Sequence, residues 1–131
     1  LVGGTTFTAL GSQELSLAEL KNYPLISLGR ETMTFQFYHS LFLSPGLELA
    51  PDTETATTDQ IQILPLVKCE LGLAFLPEAM ARDSIQKREI VQISLKENIP
   101  ERNICMVYDC QHPLNTAARQ FRKMILEDHL S

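Results

Sequence analysis

Nowhere does the chain carry an apolar run near the ~20 residues that span a bilayer, and no basic-then-apolar leader opens it. No membrane partner is expected, and a cytoplasmic location is the default. Basic side chains are scarce in the first half. Residues 1–67 hold only Lys21 and Arg30 against seven acids, so they carry the whole net charge of −5, and the remainder balances at nine against nine. Duplex DNA is held largely by Lys and Arg on its phosphates, which makes this segment a poor nucleic-acid binder by itself. Cysteine is sparse. Cys69, Cys105 and Cys110 form no CxxC and no paired framework, and an odd count in a cytosolic chain favours free thiols. A redox pair between Cys105 and Cys110 is the weaker reading; ordinary core or surface cysteine is the stronger one.

Reaction chemistry is equally thin. There is no GxSxG, Walker loop, GxGxxG or HExxH, and no zinc-type spacing of cysteine and histidine. Cys110, His112 and Asp109 lie close in sequence. On an extended segment, however, residues two apart point the same way without the base-and-orienter geometry that nucleophilic catalysis needs. His129 sits in the C-terminal tail, where fraying defeats precise chemistry. The expectation is a non-enzyme, with no catalytic residue, metal or cofactor.

What is present is a core. At 131 residues and 44% hydrophobic, one domain can remove roughly two thirds of its unfolded surface from water. The chain opens on Leu1 rather than methionine and is expected to be a fragment. It is organised around residues 57–78. Thr57, Thr58 and Asp59 are good helix N-caps, and Ile61, Ile63, Leu64, Leu66 and Val67 are apolar all round, as in a buried helix. Pro65 should bend or shorten that helix. Gly72 then gives a turn, and residues 71–76 read as a short strand buried on both faces, stopped by Pro77.

Residues 1–4 read as the end of a strand running into a flexible connection, and residues 5–13 as a loop. Ser16 with Glu19 makes a capping box for a short helix through Lys21. Residues 24–28 form a buried strand, residues 29–32 a strand-to-helix turn, and Phe35, Tyr38 and Phe42 the core stripe of the helix that follows, ended by Pro45 and Gly46. His39 is a surface or satisfied residue. Residues 47–54 read as a strand. This strand–helix–strand–helix–strand order implies a parallel sheet with right-handed crossovers. Further on come a helix over 78–85, a solvated turn at 86–89, a half-exposed strand over 90–95, a connection over 98–102, a strand over 103–108, and a last helix capped by Asn115. Ala117, Ala118, Phe121, Met124 and Ile125 make that helix's apolar face.

Val67-Lys68-Cys69-Glu70-Leu71-Gly72-Leu73-Ala74-Phe75-Leu76-Pro77 resembles the signature stretch in the effector-binding domain of LysR-type transcriptional regulators. Four other pieces fall in the family's order around it: Leu17-Ala18-Glu19-Leu20, Tyr23-Pro24-Leu25-Ile26, Ile90-Val91-Gln92-Ile93, and Ile104 to Tyr108 with His112-Pro113-Leu114-Asn115-Thr116-Ala117-Ala118 and Phe121. The resemblance covers nearly the whole chain. It implies an α/β, type II periplasmic-binding-protein-like (Rossmann-like) lobe: a mixed, mostly parallel sheet flanked by helices. Residues 4–102 would be the second regulatory subdomain, and 103–131 the crossover strand and C-terminal helix returning to a largely missing first one. The last helix is then expected to pack on another chain, or on the second subdomain in a non-native way.

The resemblance also implies a small-molecule effector, plausibly an anion, held in a cleft between two lobes. DNA would be bound only through a separate N-terminal helix-turn-helix, and the parent would be a homo-oligomer, dimer or tetramer. Ligands of open α/β sheets bind beyond the carboxyl ends of the strands, and helix N-termini favour anions. Alongside those principles, the resemblance implies Leu28, Gly29, Arg30, Thr32, Thr57, Thr58, Leu76 and Pro77 as candidate effector contacts, with Thr58 at a position where the family turns a threonine or serine toward the effector. Arg30 is placed to pair with a carboxylate, unless Glu31 neutralises it. The other reading of the same fold is a lobe of a solute receptor or of a prephenate-dehydratase-like enzyme.

Overall fold

The computed structural model describes residues 1–56 and 59–130, and of Leu130 the backbone alone. The chain divides into two compact units, Leu1–Ile99 and Pro100–Ser131.

The first unit is built on a five-stranded sheet. Its strands are β1 (Val2–Gly4), β3 (Leu25–Leu28), β4 (Thr53–Thr55), β5 (Leu73–Ala74) and β6 (Ile90–Gln92), in the order β4-β3-β5-β1-β6. β3 runs parallel to both β4 and β5, whereas β1 is antiparallel to both β5 and β6. Four strands thus point one way and β1 the other, the mixed, mostly parallel sheet expected. A second, two-stranded parallel ladder joins β2 (Glu14–Leu15) to β7 (Ser94–Leu95).

The apolar runs are continuous because both faces of the sheet are covered. Alternation along β3 and β5 sends Leu25, Leu73 and Phe75 to one side. There they pack with Leu10, Leu20, Phe35, Phe42 and Ile93, under helix α1 (Met33–Leu43). Ile26, Leu28 and Ala74 go to the other, with Ile63, Val67 and Ala81 from α2 (Ile63–Lys68) and α3 (Glu78–Gln86). The aromatic stripe of α1 is core packing: Tyr38 stacks on Phe75 with ring centroids 4.6 Å apart. His39 stacks on Phe35.

The capping box forms as predicted. Glu19 donates its amide to Ser16 Oγ at 3.3 Å, and Ser16 donates its own to the Glu19 carboxylate at 2.6 Å. The helix it starts is a 3₁₀ turn, Glu19–Asn22. Residues 5–13 are not a loop. Thr5–Ser12 follows β1 directly as 3₁₀ turns on either side of a kink at Phe7, and its first amides are satisfied by the Glu70 carboxylate, so no flexible connection follows the first strand.

Other departures have local causes. Of the expected strand 47–54 only Thr53 and Glu54 pair with β3, in a strand that runs on to Thr55. Before it, Asp52 donates its amide to the Leu25 carbonyl and accepts the Leu25 amide at its carboxylate, both at 2.9 Å. The buried helix expected from residue 57 begins as a 3₁₀ turn, Gln60–Gln62, capped by Asp59, and becomes α-helical only at Ile63. Pro65 accounts for this: within the first turn its missing N–H has no partner to lose. Ile61, at 55% exposure, is outside the core. Thr57 and Thr58 lie outside the described residues. The strand expected over 71–76 shortens to Leu73–Ala74, and that over 90–95 breaks at Ile93 into β6 and β7, which belong to different sheets.

Gly72 has φ +154°, and a Cβ there would sit 2.5 Å from the Pro24 carbonyl oxygen, which accepts the Leu73 amide. Glycine is needed for the backbones to meet where β5 begins beside β3.

In the second unit, α4 (Thr116–Leu130) is capped as expected, the Ala118 amide donating to Asn115 Oδ1 at 2.8 Å. The strand expected over 103–108 does not form. No strand of the described residues pairs with it, its Ile104 and Val107 are exposed, and an unpaired strand does not stand alone in water. Arg122 lies over the Tyr108 ring, 5.1 Å from its centroid. Phe121 and Met124 of α4 also remain exposed.

Candidate functional site

The candidate site begins where β3 ends. Leu28 is buried in the core beneath α2, and the next residue turns the chain into α1. The Gly29 carbonyl accepts twice from Thr32, from its amide at 3.0 Å and from its hydroxyl at 2.7 Å. The same hydroxyl accepts the Phe35 amide at 3.1 Å, so a buried threonine closes the turn and caps the helix together. The positive end of the α1 dipole is thereby fixed at the carboxyl end of a parallel strand.

Charge around this helix start differs from the expectation. Arg30 is not neutralised by Glu31. Its amide donates to Glu54 Oε1 at 3.0 Å and its Nε to Glu54 Oε2 at 3.3 Å, while the guanidinium lies 5.9 Å from the Phe35 ring centroid. Glu54 is thus a site residue that sequence reasoning missed. Its role follows from β3–β4 register, which sets Ser27 against Glu54, and no local motif announces it. Glu31 instead folds back over Gly29, its carboxylate filling the place of a Cβ there.

The far edge of the site is the end of β5. Leu76 is half-buried against the α2–α3 side, and Pro77 opens α3, its carbonyl accepting the Met80 amide at 3.0 Å. Gln60, also missed from sequence, is held at the β5 edge: its Nε2 donates to the Phe75 carbonyl at 3.4 Å. Beside it is a small apolar cavity lined by Leu28, Phe35, Tyr38, Gln60, Ile63 and Phe75, among others, with about 20 Å³ of free space. That admits about one water. Of the expected contacts only Leu28 reaches this cavity; Gly29, Arg30, Thr32, Leu76 and Pro77 do not line it. Thr57 and Thr58 belong to the undescribed residues. Chemically, these strand ends offer a helix N-terminus, a partly committed arginine and a small apolar cavity.

Elsewhere, Asp109 and His112 are in contact through Oδ2 and Nδ1 at 2.5 Å, both exposed. The Gln111 amide and the His112 side chain hold the Asp109 carboxyl below its ordinary range. Their approach was open from the sequence and their base-and-orienter contact was not expected, but the pair stands on an open turn rather than in a cleft. Cys69, Cys105 and Cys110 are free and exposed. Among the described residues no cluster of His, Cys, Asp and Glu could hold a metal ion, and no helix is long and apolar enough to cross a membrane.

A search of curated proteins finds no match to this chain. The family model for the LysR substrate binding domain matches residues 6–129. With the periplasmic-binding-protein-like α/β architecture described above, the chain belongs to the LysR substrate binding domain family, the effector-binding regulatory part of LysR-type transcriptional regulators.

Proposed function

We propose that this chain senses a small anion at the carboxyl ends of β3 and β5. Residues 4–102 act as the second regulatory subdomain, and residues 103–131 return to a first subdomain that supplies the opposite wall of the cleft. Leu28, Gly29, Arg30, Thr32, Thr57, Thr58, Leu76 and Pro77 form this chain's wall. The observation that carries the reading is the turn at Gly29, where Thr32 fixes the N-terminus of α1 against the end of a parallel strand. An anionic group there gains from the helix dipole and from the guanidinium donors that Glu54 leaves unused. The 20 Å³ cavity agrees with a ligand held between lobes rather than inside this one.

The ligand acts by population shift. It biases the relative orientation of the lobes only to the extent that it binds one orientation more tightly. That bias passes to a separate N-terminal DNA-binding domain in an oligomeric cytoplasmic regulator, and the chain itself catalyses nothing. A thermal-shift screen of small carboxylates, amino acids and inorganic anions against the two-lobed effector domain tests this. A ligand at about a hundred times its Kd stabilises by about 2.7 kcal/mol. Thr58→Ala and Arg30→Ala should each diminish the shift; a shift undiminished in both refutes the site.

A further inference from the structure

β3 has a second surface at its other end. Beside Leu25, its first residue, lies a cavity of about 270 Å³, just under the ~300–1,000 Å³ of ordinary small-molecule sites. It is more than ten times roomier than the cavity at the strand ends. Leu17, Leu25 and Phe42, all buried, form its apolar wall.

Its polar lining has both signs. Lys21 comes from the 3₁₀ turn, and Glu48 and Asp52 from the segment that follows α1. Neither Lys21 nor Glu48 has an ion-pair or hydrogen-bond partner among the described residues. Asp52 is anchored through Oδ2, which accepts the Leu25 amide, and its Oδ1 is engaged by no described residue. Tyr23 lines the same cavity. A simple anion here would meet two carboxylates, and a simple cation would meet the lysine. A zwitterion satisfies both.

We propose that this cavity is a second ligand site, taking a free α-amino acid with an apolar or aromatic side chain. The carboxylate pairs with Lys21, the ammonium with Glu48 and the unused oxygen of Asp52, and the side chain lies on Leu17, Leu25 and Phe42. The site shares none of the polar residues of the strand-end cleft. Helix α1 links the two, with its cap Thr32 at one and Phe42 at the other.

The test is an amide-NMR titration of the 131-residue chain with L-phenylalanine and L-leucine. Saturable shifts are expected at Lys21, Tyr23 and Glu48. 3-Phenylpropionate, which lacks the ammonium, and phenethylamine, which lacks the carboxylate, should each bind about tenfold more weakly, as for the loss of one charge-assisted hydrogen bond. Lys21→Met and Glu48→Gln replace exposed side chains, so the spectrum should remain that of the folded chain while phenylalanine binding weakens by a similar factor. The proposal is overturned if neither amino acid gives saturable shifts up to about 10 mM. It is also overturned if the analogues bind equally well, if both variants bind undiminished, or if the shifts fall at Gly29 and Thr32 instead. A failure here leaves the strand-end cleft untouched.

Discussion

Oε1 of Glu70 receives both the amide of Thr5, at 2.7 Å, and its hydroxyl, at 2.8 Å. Oε2 does the same for Thr6, at 3.1 and 2.7 Å. One carboxylate thus closes the end of α2 onto the start of the first 3₁₀ helix. Geometry leaves room for nothing else: Glu70 is left-handed at φ 64°, and a Cβ on Gly4 would collide with its carboxylate.

The hydroxyls of Thr6 and Thr5 hold the Glu70 carboxyl below its ordinary value of 4.5. A depressed folded-state pKa means the latch's contribution is complete above the unfolded value and lost as pH falls through the folded one. Glu70→Gln, with one acceptor oxygen for four donors, should lower the thermal midpoint at pH 7 and flatten its decline below about pH 4.5. Thermal melts of both proteins across pH 3–7 check this; parallel pH profiles would show that the latch carries no linkage.

Gly72→Ala should destabilise by about 2–3 kcal/mol. The new Cβ must adopt φ +154° and displace the Pro24 carbonyl, which accepts the Leu73 amide at 2.8 Å. Urea unfolding measures it, and a change under about 0.5 kcal/mol would mean that the backbone relaxes freely at this crossing.

Thr32→Ala should cost about 1–2 kcal/mol, the value of a lost helix cap, because the hydroxyl both accepts from Phe35 and donates to Gly29. Thr32→Ser keeps the oxygen and should recover most of it. Equal losses for alanine and serine would assign the effect to the methyl group's packing instead.

The parts of the fold legible in sequence were those decided within a few residues. The Ser16–Glu19 box, the Thr32 turn, the Asn115 cap and the two-sided apolar runs at β3 and β5 are local chemistry, and each formed. Less legible was whatever depends on partners far along the chain. β1 reads as an ordinary short strand, yet it runs against its neighbours in the sheet. The apolar alternation over 90–95 does not reveal that Ile93 divides two sheets. Residues 103–108 have strand composition but, among the described residues, no strand pairs with them. At the site, the strand-to-helix turn over residues 29–32 was visible, whereas the Glu54 partner of Arg30 and the Gln60 contact with Phe75 exist only once strands and helices are assembled.

The most direct test of the effector-cleft reading is amide-NMR mapping of the two-lobed effector domain with a panel of small carboxylates and inorganic phosphate. The account predicts saturable perturbations centred on Gly29, Arg30 and Thr32, with a second group at Leu76 and the turn into α3. Saturable binding whose perturbations gather around Lys21 and Glu48, and leave Gly29 to Thr32 unmoved, would contradict it.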